Sequence, residues 1–136
     1  MEEKLFQLDI VTPRKLIFSD TVASVSVPGE LGGFQVLIGH APLLSSLVVG
    51  EIKITDKNGN TERYATTGGF LEVRDNKVIL LAETAEKASE IDKNRADAAQ
   101  KRARERLHKR DTGTDLDRAE AALQRALNRL RIAGRN

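Results

Sequence analysis

Residues 81–96 read Leu81-Ala82-Glu83-Thr84-Ala85-Glu86-Lys87-Ala88-Ser89-Glu90-Ile91-Asp92-Lys93-Asn94-Arg95-Ala96, and within this stretch the chain changes character. Up to Lys87 it carries all three prolines, eight of the ten glycines and 15 valines plus isoleucines. From Ala88 onward it has no valine, two isoleucines, two glycines and ten alanines. β-Branched side chains suit pleated strands, whereas alanine and long charged side chains favour helix. Charge divides at the same point: nine basic against twelve acidic residues before it, a net −3, and thirteen against eight after it, a net +5. The pattern predicts an all-β domain over 1–87 and a helical element over 88–136, with the junction near Ala85 to Ser89.

Working back from the junction, short alternating runs are separated by turn residues, as half-buried strands require. Phe6, Leu8 and Ile10 share one side of a first strand ending near Pro13. Further strands are expected over Leu16–Phe18, Val22–Val27, Phe34–Ile38, Leu43–Val49, Glu51–Thr55, Arg63–Thr67, Phe70–Val73 and Lys77–Ala82. Asp56-Lys57-Asn58-Gly59-Asn60 is a hairpin signal, because Asn-Gly tolerates positive φ, and Arg74-Asp75-Asn76 is a second tight turn. Eight to ten strands at this spacing favour a sandwich or flattened barrel.

Working forward, Ser89 is a candidate N-cap, with Asp92 three residues later facing the helix N-terminus. The helical pattern runs to about Lys109, breaks at residues 111–115, and resumes from Leu116 to about Ile132 with Thr114 or Asp115 as cap. Ala88, Ile91, Ala96, Ala99, Ala103 and Leu107 form one narrow apolar stripe; Leu116, Ala119, Leu123, Ala126, Leu127 and Leu130 form another. Helices joined by so short a loop pack antiparallel. Facing alanines bury little apolar area, so this hairpin is expected to be weakly held. The fold class is therefore α+β overall: an N-terminal all-β sandwich of about ten strands and a C-terminal antiparallel helical hairpin.

Composition excludes several functions. Cysteine is absent, which removes disulfides, thiol catalysis and cysteine-ligated metals. The two histidines, His40 and His108, are too far apart in sequence to suggest a metal site. No apolar run approaches the roughly 18–20 residues of a membrane span, and the acidic start Met1-Glu2-Glu3-Lys4 lacks a secretory signal's apolar stretch. A soluble, cytoplasmic protein is expected. There is no phosphate-loop, H-E-x-x-H or G-x-S-x-G pattern. The net charge of +2 gives no general polyanion-binding signal.

Gly29, Gly32 and Gly33, within Pro28-Gly29-Glu30-Leu31-Gly32-Gly33, read first as a turn between strands, and His40 as a hydrogen-bonded corner residue. Gly68-Gly69-Phe70 permits a close backbone approach at a strand bend. On the helices, Arg95 and Arg102 share a face, as do Arg125 and Arg129. If the hairpin brings the pairs together they suit a polyphosphate; otherwise they form a solvated basic face with local pairs such as Asp92–Arg95.

The segments Gly39-His40-Ala41-Pro42-Leu43-Leu44, Gly68-Gly69-Phe70-Leu71-Glu72-Val73 and Leu81-Ala82-Glu83-Thr84-Ala85-Glu86, followed by a helical pair, resemble the epsilon subunit of bacterial and chloroplast rotary ATP synthases. The likeness runs along essentially the whole chain. It departs at Gly32-Gly33-Phe34-Gln35-Val36-Leu37, and Ile38 stands where proline is common. The resemblance implies a non-catalytic rotor subunit: a ten-stranded sandwich bound to the gamma subunit and the c-ring, coupling them to the alpha/beta catalytic hexamer. Glu30, Leu31, Gly32, Gly33 and His40 fall in the region that faces the rotor partners. Membrane association is then indirect, at the cytoplasmic face of the plasma membrane (or the thylakoid, in a plastid).

The resemblance further implies that the hairpin is a brake on ATP hydrolysis, released when folded and engaged when extended along gamma. About 44 helical residues would reach roughly 65 Å end to end. Some bacterial members bind regulatory ATP through [IL]-D-x-x-R-A, matched here by Ile91-Asp92-Lys93-Asn94-Arg95-Ala96. By that resemblance Arg95, Arg102, Arg125 and Arg129 hold phosphates, while Glu86, Ile91, Asp92 and Ala96 shape the nucleoside side. No other cofactor is implied. Two other classes compete. A basic helical hairpin also suits a nucleic-acid-binding module, against which stand the interleaved acids and the absence of any aromatic after Phe70. An enzyme on the β domain lacks a convergent catalytic group.

Overall fold

In the computed structural model, which describes residues 4–109 and 115–134, strict alternation drives the first strand, β1 (Phe6–Val11). Phe6, Leu8 and Ile10 are buried while the residues between them stay half-exposed, as a strand with one core face requires. Nine further strands follow: β2 (Leu16–Val22), β3 (Ser24–Val27), β4 (Phe34–Val36), β5 (Leu43–Leu47), β6 (Gly50–Thr55), β7 (Thr61–Thr66), β8 (Gly69–Arg74), β9 (Lys77–Ala82) and β10 (Ala85–Lys87). They form two five-stranded sheets, ordered β2-β1-β9-β8-β5 and β10-β7-β6-β3-β4. Leu8, Ile10, Leu71, Val78 and Leu80 of the first sheet share one core with Val25, Val36, Ile52 and Ile54 of the second. β1 and β9 pair in parallel, which ties the start of the sandwich to its end.

Turn chemistry sets the registers. Asp56 Oδ1 accepts the amides of Asn58 (2.8 Å) and Asn60 (2.9 Å). Burial works to raise the Asp56 pKa, but these two amides hold it below the ordinary carboxylate value. Only Gly59 of the Asn-Gly pair takes positive φ. Between β8 and β9, Asp75 and Asn76 both take positive φ, the two-residue hairpin geometry whose twist matches the strands. At Gly69 a Cβ would collide with the Leu81 carbonyl, so the predicted close approach is real and admits only glycine.

Strand boundaries differ from expectation mainly at their ends. β10 was not foreseen, because the three residues Ala85-Glu86-Lys87 on a sheet edge carry no alternation to read. The chain divides into two compact units between Lys87 and Ala88.

The helical unit begins with a single 3₁₀ turn, Ala88–Glu90, rather than with a helix capped by Ser89. α1 (Lys93–Lys109) is capped instead by Asp92, whose Oδ1 accepts the Arg95 amide at 3.1 Å. A carboxylate one residue before the helix satisfies an orphan amide and meets the positive end of the helix dipole, which a hydroxyl four residues upstream cannot do. α2 (Leu116–Ala133) is capped by Asp115, and the rest of the predicted break at 111–115 lies outside the described residues. α1 and α2 pack on one another. The buried positions are narrower than the expected stripes: Ala96, Ala103, Ala119 and Ala126 are buried, whereas Leu116 and Leu127 remain 41% and 38% exposed. Asn128, Ile132 and Ala133 are buried in addition.

Replacing Asp92 by alanine should cost the helical unit about 0.5–2 kcal/mol, read by far-UV circular dichroism on thermal unfolding. Ser89→Ala should stay within about 0.5 kcal/mol of wild type; the reverse order would restore Ser89 as the cap.

Candidate functional site

Alternation fails in several places on the first sheet, three of which adjoin one another. Ile10-Val11, Phe70-Leu71 and Leu80-Leu81 put apolar side chains on both faces at once. The inner member of each pair is core. The outer members are brought side by side by the registers: Leu16 opposite Val11, Val11 opposite Leu81, Leu81 opposite Phe70. Leu16, Leu81 and Phe70 are 58%, 53% and 54% exposed. One row over, Ser19, Asp9, Ile79, Glu72 and Leu44 are neighbours across all five strands of the sheet, with Leu44 71% exposed. A contiguous apolar row on a monomer's surface marks a contact site.

Asp9 is fixed within this face. Its Oδ1 accepts Ser19 Oγ at 2.6 Å and Gln7 Nε2 at 3.0 Å. These hydrogen bonds, Ser19 first, lower its pKa, assisted by the Lys77 charge and opposed by burial. Asp9 is therefore a preset carboxylate that stays ionised at neutral pH.

The glycine loop lies at the margin of the same sheet. The Glu30 amide donates to the Ser46 carbonyl (2.9 Å) and Val48 to Pro28 (2.9 Å), which stitches the loop to the end of β5. Glu30, Leu31, Gly32 and Gly33 are exposed, Leu31 completely. With Phe34 and Leu43–Ser46 they line a groove of about 490 Å³. A side chain at Gly29 would strike the Gly32 carbonyl and the Phe34 ring, so the turn reading of these glycines holds. His40 is not part of this groove. It precedes β5 at the opposite end, half-buried, with Nδ1 2.7 Å from the Ala41 carbonyl, while the Gly39 amide donates to Asn76 Oδ1 at 2.8 Å.

In the helical unit, Ile91 and Ala96 are buried, Arg95, Arg102 and Arg125 are exposed, and Arg129 is half-buried. Glu86 sits half-buried on β10, opposite Ala65 of β7. Asp92 is engaged as the α1 cap. A groove of 480 Å³ between the helices is lined by Arg106, Arg118 and Arg125 over Ala119 and Ala122. Of the four predicted arginines only Arg125 lines it; Arg106 and Arg118 were outside the expectation, although Arg106 follows Arg102 by one turn. Among the described residues no group of three or more His, Asp or Glu side chains is placed to hold a metal ion, and no helix is long and apolar enough to cross a membrane.

Comparison with known proteins accounts for both units. Residues 5–88 match the family described as ATP synthase, Delta/Epsilon chain, beta-sandwich domain. Residues 89–134 match its partner family, the long alpha-helix domain of the same chain. The ATP synthase epsilon chain of Bacillus velezensis is 48% identical over 131 residues, covering 96% of this chain and 98% of that one. That of Pelotomaculum thermopropionicum is 50% identical over 134 residues, covering 98% and 99%. A chain in the cryo-EM structure of the Euglena gracilis mitochondrial ATP synthase (OSCP/F1/c-ring) superposes with a TM-score of 0.83 over 100% of this chain and 84% of its own, at 22% identity, a likeness of fold. Strand by strand and helix by helix, the chain belongs to the ATP synthase delta/epsilon chain family, among its epsilon chains.

Proposed function

We propose that this epsilon chain, a non-catalytic subunit of the central stalk, docks on the rotor through its sandwich and restrains ATP hydrolysis through its hairpin. The observation that carries the docking is the outward apolar row Leu16, Val11, Leu81 and Phe70, in which Val11 is half-buried and the other three are exposed. The gamma subunit is the partner for this face; the loop Glu30–Gly33, with its bare Leu31, and the His40 corner, at opposite ends of β5, extend the contact to the rotor partners, gamma and the c-ring. Torque-bearing contacts need broad mixed surfaces rather than isolated exposed ion pairs, which contribute little in water. The subunit is then held peripherally at the membrane through the complex, on the cytoplasmic face of the bacterial plasma membrane.

The brake follows from how little holds the hairpin. Its buried side chains are largely alanines, and alanine buries little area at roughly 25 cal/mol per Å². Opening therefore costs little, and a surface in the alpha/beta hexamer can compensate. Regulatory ATP fits as the ligand of the folded form. Arg95, Arg102, Arg125 and Arg129 would hold phosphates; Ile91, Asp92 and Ala96 would bound the nucleoside side. Asp92 would contribute while still capping α1. A ligand bound only to the folded form stabilises it by about 2.7 kcal/mol at 100 times Kd.

Reconstitution with alpha, beta and gamma subunits tests the division of labour. The full chain and a chain ending at Lys87 should both bind, and only the full chain should slow hydrolysis; equal rates would remove the brake. Titrating the isolated subunit with ATP should compact the hairpin saturably. Arg102→Ala or Arg125→Ala should raise Kd by about tenfold, the equivalent of roughly 1.4 kcal/mol. Absence of any saturable change would remove ATP sensing.

A further inference from the structure

We infer that the rotor segment covering the outer face of the first sheet is an α-helix lying across the strands, with one apolar side chain per turn and two basic side chains about seven residues apart on its flank. The inference rests on the docking proposed above and names the chemistry of the partner.

The face sets the geometry. Leu16, Val11, Leu81 and Phe70 come one from each of β2, β1, β9 and β8, so the row runs perpendicular to the strands. Neighbouring strands are about 4.8 Å apart, close to the 5.4 Å pitch of a helix. A helix laid along the row meets one strand per turn and can set one apolar side chain against each. An extended chain places same-face side chains about 6.6–6.8 Å apart and falls out of step after two strands.

Charge sets the flank. Glu72 and Asp9 lie in the adjacent row with Ile79 between them, two strand spacings apart. That is about 10 Å, or roughly seven helical residues at 1.5 Å each. Hydrogen bonds from Ser19 and Gln7 hold the Asp9 carboxylate in place before any partner arrives. The next row carries Arg74 and Lys77, directly paired and both exposed. Cations are thus drawn to the Glu72–Asp9 row and repelled beyond it, which fixes the side on which the helix carries them. The same carboxylates disfavour a nucleic-acid backbone or an anionic lipid surface on this face.

The test uses the full chain assembled with its rotor partners, with a photoreactive benzoylphenylalanine at position 16 or position 70. Three strand spacings separate the two positions, about 14 Å or roughly ten helical residues. Both probes should label one partner segment, at sites about ten residues apart. Sites about four residues apart, sites in unrelated segments, or cross-links confined to this chain or a second copy overturn the helix. Assembly with no rotor cross-link from either position overturns the docking reading itself. Independently, Glu72→Lys should weaken assembly about tenfold while Arg74→Glu should not weaken it. Equal affinity for wild type and Glu72→Lys overturns the charged flank.

Discussion

Water contact along the row Leu16, Val11, Leu81 and Phe70 is the constraint on which the remaining features depend. Beneath it lie Ile10, Leu71 and Leu80, sealed in the core, so the sheet is apolar on both faces along this line. The second sheet behaves differently: its outer face carries Glu51 paired with Arg63 at 2.8 Å, beside Lys53. That face is polar and internally ion-paired rather than apolar. Covering the row would remove three half-exposed large side chains from water, about 1 kcal/mol each or somewhat more. The chain is stable enough to present this face because the core beneath does not depend on its being covered.

The helical unit follows the opposite design. Its caps are well made, with Asp92 and Asp115 each accepting an amide at 3.1 Å. Its interior is poor, since five of the seven buried positions on α1 and α2 are alanines. Good caps keep each helix intact as a rod, and the proposed brake draws on the weak packing between the rods. A device meant to change arrangement without unfolding needs that combination, and an all-leucine interface would forfeit it.

Much of this was legible in the sequence, for physical reasons. The change at Lys87 is a change of backbone preference, visible as the loss of valine and the arrival of alanine. The Asp56–Asn60 and Arg74–Asn76 turns are local chemistry and read directly. What could not be read depended on register. Leu81 and Phe70 looked like ordinary members of apolar runs until pairing set them next to Val11 and Leu16, some 60 residues away. The Ser89 cap failed for a local reason, because a 3₁₀ turn intervenes and the stronger capping carboxylate sits three residues on. Arg106 and Arg118 lie outside the family motif, and only the packing of α1 on α2 brings them to one groove with Arg125. The nucleic-acid alternative drew on the same basic helices, which the family assignment explains as part of an epsilon chain.

The affinity of a Phe70→Asp, Leu81→Asp double variant for a complex containing the gamma subunit tests the central claim most directly. Both positions are on the outer face, so circular dichroism and thermal unfolding should match those of wild type. The account predicts that affinity falls at least a hundredfold, on the order of 3 kcal/mol. A folded variant that binds as tightly as wild type would contradict it.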